Sequence, residues 1–162
     1  MDTPSTPRRP GPAMLVVRLL LGGLFVLAAS LKLAHPQDFA NSVLAFKVFP
    51  PAADHLNYLV TFVVPWTEML CGVLLIVGLW ARSAALVLAL LLGVFLGGII
   101  SVLWRKLDVS CGCFGKFEFP CGKAVGPCHI ARNGVLLVMA LLVLVRGPGL
   151  GALDNACCRS TP

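Results

Sequence analysis

The stretch that decides the fold is SAALVLALLLGVFLGGIISVLW, from Ser83 to Trp104, which contains no charged residue. As a helix rising 1.5 Å per residue it is about 33 Å long, enough to cross a hydrocarbon core of about 30 Å. A helix of a soluble domain keeps a polar face for water, and this one has none. Three further apolar runs flank it. Met14 to Ala34 carries Arg18 near its start and Lys32 near its end, Leu56 to Trp80 carries one charge, Glu68, and Cys128 to Val145 carries Arg132 near its start. The last has the shortest uncharged part, so Arg132 is expected to snorkel to the interface and extend its reach. Inside a bilayer free backbone groups find no partner, and no alternating strands of about 10 residues occur, so each run reads as a helix. The expected fold is all-α: a polytopic membrane four-helix bundle.

Composition agrees with that reading. The chain of 162 residues is 58% hydrophobic and only 12% charged, with a mean hydropathy of +0.91. A soluble domain cannot build a polar shell from so few charges. The net charge of +6 lies between apolar runs, where it sets topology and meets lipid headgroups. No basic stripe or motif supports nucleic-acid binding. Arg8 and Arg9 precede the first run and Ala28-Ala29-Ser30 imitates a cleavage site, but the run is long for a signal peptide and contains Arg18, so it reads as a span.

The organisation follows. Residues 1–13, rich in Pro, Ser and Thr, are expected to be disordered. The membrane domain covers 14–146, with spans at 14–34, 56–80, 83–104 and 128–145 and a Cys-rich loop at 105–129. The tail at 147–162 opens on Gly-Pro-Gly-Leu-Gly and is also expected to be disordered. Gly22, Gly23, Gly72, Gly78, Gly93, Gly97 and Gly98 lie in the spans. Gly93 and Gly97 have the spacing that lets helices approach closely, although glycine is also simply frequent in membrane helices. Trp80 and Trp104 stand at run ends, as an aromatic belt requires.

Four spans place both termini on one side. Positive charge does not decide which, because Arg8, Arg9, Arg82, Arg146 and Arg159 oppose Lys32, Lys47, Arg105, Lys106, Lys116, Lys123 and Arg132. The cysteines break the tie. Cys111, Cys113, Cys121 and Cys128 fall in one polar segment, around Ser110-Cys111-Gly112-Cys113-Phe114-Gly115. Gly112 has no Cβ to resist a tight turn between the two thiols. A disulfide across so short a spacing closes a strained ring, which is easily reduced and suits exchange chemistry. Lys116 and Lys123 favour the thiolate. Cys111 and Cys113 are therefore the expected redox pair, with Cys121 and Cys128 as a second pair. Two other readings stay open: inert bracing disulfides, and a soft-metal site for copper or zinc built from Cys111, Cys113, Cys121, Cys128 and His129. Disulfide chemistry prefers an oxidising compartment, which puts this loop outside and the termini in the cytoplasm. Cys157 and Cys158, adjacent in the tail, then face the cytosol.

An ionisable group within a span is usually paired or functional. Counted from the ends of antiparallel spans, Glu68 falls closer in depth to Arg18 than to Lys32, so an Arg18–Glu68 ion pair is expected. The alternative is a neutral Glu68 hydrogen-bonded to a quinone or a backbone carbonyl. Cys71, three residues on, lies on the same face and reads as a small apolar filler.

Taken together these residues resemble the MauE/DoxX-type membrane proteins, in particular the MauE-like, redox-associated branch. The resemblance rests on Arg18, Gly22, Phe25 and Ala28-Ala29-Ser30-Leu31-Lys32 in the first span, on Pro50, Pro65-Trp66-Thr67-Glu68 and Gly72, on Cys111-Gly112-Cys113-Phe114-Gly115, and on Arg132-Asn133. It covers residues 14–146, and the cysteine motif is its most specific part. It implies a four-helix bundle in the bacterial inner membrane that acts beside thioredoxin-like partners. The family's name-giving member is implicated in maturing methylamine dehydrogenase, whose small subunit is periplasmic and crowded with disulfides. If this chain is an enzyme, the resemblance makes it a thiol–disulfide oxidoreductase. Cys121, Cys128, Cys157 and Cys158 are additions to the pattern, and Ser30 stands where glycine is more usual.

Overall fold

The computed structural model describes residues 12–46, 54–105, 126–147, 149 and 152. Within them lie five helices and no strand: α1 Pro12–Ala34, α2 Pro36–Ala45, α3 Asp54–Val77, α4 Ala81–Trp104 and α5 Pro127–Arg146. All but α2 are long and apolar enough to cross a membrane. The protein is an all-α, multi-pass membrane bundle, with large apolar side chains such as Phe62, Leu90 and Val94 on its outer, lipid-facing surface. α5 has 20 residues, about 30 Å of helix, so the shortest run also reaches across. Arg132 is half-buried there.

The bundle closes as a ring in which α1 packs on α3 and α5, and α4 packs on the same two helices. The stripe Arg18, Leu21, Gly22, Phe25, Ala28, Ala29 and Lys32 is the buried face of α1, and its spacing of three and four is the helical period. Its closest approach is to α3. A methyl group on Gly22 would meet the Gly72 carbonyl oxygen at 2.8 Å, and one on Gly72 would meet Val26 Cγ2 at 2.9 Å. By contrast a methyl group on Gly93 or Gly97 would meet nothing within 4 Å among the described residues, so their spacing does not mark a contact between described helices. On α4 the close-packed face is built from alanine: Ala81, Ala84, Ala85 and Ala89 are buried with Leu88 and Leu92, against Leu136, Ala140 and Val143 of α5.

α3 stops at Val77, three residues short of the end of its apolar run. Gly78 takes φ +77°, and the N–H groups of Gly78 and Leu79 both donate to the Leu74 carbonyl, which ends the helix. Trp80, at φ 49°, then starts α4 and stays 70% exposed, at the depth where an interfacial tryptophan sits. The α2 segment was expected only as loop. Pro36 occupies its first turn, and Phe39 and Ser42 are its buried positions. Phe46, which follows it, packs with Ile99, Val102 and Phe95, so α2 lies across the loop end of the bundle.

Candidate functional site

The one ion pair among the described residues lies inside the bundle. Lys32 Nζ donates to both carboxylate oxygens of Glu68 at 2.7 Å, and both side chains are buried. Glu68 was expected to pair with Arg18, and the structure corrects this. Gly72 lies against Gly22 and Val26. One turn before Gly72, Glu68 therefore sits beside Val26 to Ala28 of the antiparallel α1, about one turn from Lys32 and more than two from Arg18. Side-chain direction completes the choice. Helical side chains lean toward their own N-terminus, so in antiparallel helices Lys32 and Glu68 lean toward one another. Arg18 leans away, to the other end of the bundle, where its guanidinium lies against Gly78.

The pair forms one wall of a cavity of about 130 Å³ to which all five helices contribute. Phe25, Ala28 and Lys32 come from α1, Phe39 and Val43 from α2, Val64 and Glu68 from α3, Leu92 and Phe95 from α4, and Asn133 and Leu136 from α5. Lys32 Nζ stands 5.0 Å from the centroid of the Phe39 ring, so a cation–π contact supports its charge away from water. Asn133 is buried and donates from Nδ2 to the His129 carbonyl at 2.8 Å. His129 is fixed in turn, since its Nδ1 accepts from the Gly126 N–H at 3.3 Å and closes the first turn of α5. Leu24 and Val94 also line the cavity and are 38% and 78% exposed, so it opens on the lipid-facing surface. Sequence reasoning weighed Lys32 as a partner for Glu68 and set it behind Arg18, named Asn133 only as a motif residue, and missed Phe39. The available signal was the spacing of Lys32 and Phe39 around Pro36, which turns the chain back over α1.

Of the expected cysteine site, Cys111, Cys113 and Cys121 lie outside the described residues, as do Cys157 and Cys158. Cys128 opens α5 and is disulfide-bonded, with its partner outside the described residues. A sulfur in a disulfide is no thiolate ligand, and among the described residues no group of three His, Cys, Asp or Glu converges on a metal position. Cys71 is a free thiol buried in the main core with Leu75 and Phe25.

The family model for methylamine utilisation protein MauE matches residues 11–146. The chain belongs to the MauE family. Methylamine utilization protein MauE of Paracoccus denitrificans is 35% identical over 147 residues, which cover 90% of this chain and 68% of that protein. No solved structure matches. In this MauE-family chain the motif residues of three helices meet in space: Lys32 of α1, Glu68 of α3 and Asn133 of α5 border the same cavity, and Gly22 and Gly72 make the contact that sets its register.

Proposed function

We infer that this MauE-family protein is a membrane thiol–disulfide redox protein that supports the oxidative maturation of an extracytoplasmic protein, of the methylamine-dehydrogenase type, together with a thioredoxin-like partner. It works in the bacterial inner membrane, with its termini in the cytoplasm and its cysteine loop outside. The observation that carries the reading is the cysteine cluster between α4 and α5 in a chain of this family, with Cys128 already oxidised to a disulfide. A thiolate of the partner attacks the Cys111–Cys113 bond, one sulfur is held in a mixed disulfide and the other leaves as a thiolate. A second thiolate of the partner then releases the reduced chain, and the partner leaves oxidised. Cys121 and Cys128 form the second pair, to which the two electrons pass on.

The test is to trap the intermediate. With Cys111→Ser or Cys113→Ser the remaining thiolate attacks the disulfide of the oxidised partner and expels one partner sulfur as a thiolate, and with no second thiol in the pair to release it the mixed disulfide accumulates and is cleaved by reductant on a gel. If neither variant traps any such species, the exchange reading fails. Copper or zinc bound stoichiometrically to the purified protein, and lost in the double variant, would put a soft-metal role in its place.

A further inference from the structure

We propose that the cavity bordered by Lys32, Glu68 and Asn133 binds the ring of a lipid-soluble quinone. Four features of the cavity select that chemistry. Its size is on the scale of a single ring, about 130 Å³ beside the about 150 Å³ of a closed cavity that binds benzene, and its open side leaves room for ring substituents. Its walls are mostly aliphatic and aromatic, with Phe25, Phe39 and Phe95 among them. It opens beside Leu24 and Val94, near the middle of α1 and α4, so a ligand arrives from the lipid and can leave an isoprenoid tail there. Finally, it keeps spare hydrogen-bonding capacity away from water. Lys32 has three N–H donors and Glu68 takes two of them. Asn133 is 4% exposed and uses one N–H, leaving its second N–H and its carbonyl oxygen for a ligand among the described residues. A buried amide with open valences is costly unless something fills them.

A phospholipid acyl chain fits the apolar walls but has no use for the ammonium and the amide. A quinone uses both, because each ring oxygen accepts a hydrogen bond when oxidised and donates one when reduced to the hydroxyl. The carbonyl oxygen of Asn133 suits the reduced form and the N–H groups of Lys32 and Asn133 suit the oxidised form.

Resting on the thiol–disulfide reading, the quinone is the final acceptor. Two thiols of the protein lose two electrons and two protons as a sulfur–sulfur bond forms between them, and the quinone takes up both electrons and both protons to become quinol. The site reaches from the middle of the bundle toward the end that carries the cysteine loop. Asn133 is five residues along α5 from the disulfide-bonded Cys128, about 7.5 Å of helix rise.

The experiment uses the full chain purified in mild detergent and titrated with decylubiquinone, read by quenching of tryptophan fluorescence. Saturable binding is expected, weakened roughly tenfold by Asn133→Leu, which removes a buried hydrogen-bonding group, and by Val94→Phe, which fills the mouth from an exposed position without adding a tryptophan to the readout. No saturable quenching, or quenching indifferent to both variants, overturns the site. So does a bound phospholipid that decylubiquinone does not displace. If Asn133→Leu fails to fold, Val94→Phe decides alone. A second arm separates the site from the reading it rests on. Cys113→Ser should bind decylubiquinone like the unaltered protein but form no quinol from a dithiol donor. Quinone binding without any quinol formation by the unaltered chain keeps the site and refutes the redox role.

Discussion

Lys32 and Glu68 place two opposite charges inside a membrane protein, and the cost of doing so is met only while both are present. Removing one leaves the other uncompensated, a loss of about 3–5 kcal/mol for a buried pair. Lys32→Met is therefore expected to lower the unfolding midpoint in detergent steeply. The double variant Lys32→Met, Glu68→Leu replaces the pair with apolar groups of similar volume and should recover most or all of that stability. Circular-dichroism melts of the unaltered protein and the two variants check this, and a double variant no more stable than Lys32→Met would mean that the pair is not a closed unit. The same double variant keeps the fold but removes the ammonium from the cavity. The sequence displayed every member of this cluster, including the carboxylate expected to be paired. It did not display the partner, because Arg18 and Lys32 lie on one buried stripe of α1 and a depth counted from the ends of the apolar runs misses the register that the Gly22–Gly72 contact sets.

Between elements, contact is decided by how closely backbones approach. Gly22 and Gly72 touch backbone to side chain and backbone to backbone, with a Cβ on either meeting atoms under 3.0 Å away or at that limit. Gly22→Ala is expected to push α1 from α3 at about 1–3 kcal/mol, the usual range for overpacking, and to loosen the Lys32–Glu68 contact with it. Gly97→Ala meets nothing within 4 Å among the described residues and should be neutral or favourable by up to about 1 kcal/mol, since alanine is the better helix former. Parallel thermal melts separate the two. Equal losses at both positions would mean that Gly97 is packed against something outside the described residues. Arg82 shows the same principle at a helix end, since its guanidinium donates to the Val145 carbonyl at 3.4 Å and lies near the negative end of α5.

For the whole molecule the open quantity is direction across the membrane. Four spanning helices put residues before α1 and after α5 on one side and the segments joining α1 to α3 and α4 to α5 on the other. On the proposed thiol–disulfide reading the second side faces the oxidising compartment. Membrane-impermeant thiol labelling of intact cells, after gentle reduction, is expected to modify Cys111 and to spare Cys157 until the cells are opened. The reverse pattern would invert the molecule, put the cysteine loop in the cytosol and remove the basis for exchange with an extracytoplasmic partner.

The sequence by itself determined how many times the chain crosses and roughly where. That question is local: an apolar run either matches the thickness of hydrocarbon or does not, and neighbouring helices hardly alter the answer. It also exposed the candidate residues for chemistry, since Glu68, Lys32 and the cysteine cluster are conspicuous in so apolar a chain. Only the tertiary structure decided that Glu68 joins Lys32, that Gly22 and Gly72 rather than Gly93 and Gly97 bring helices together, and that Phe39 and Asn133 share a cavity with the pair. Those outcomes depend on the register and rotation of one helix against another. A shift of one turn moves a side chain about 5.4 Å, more than the reach of a hydrogen bond, and no pattern within a single helix records it.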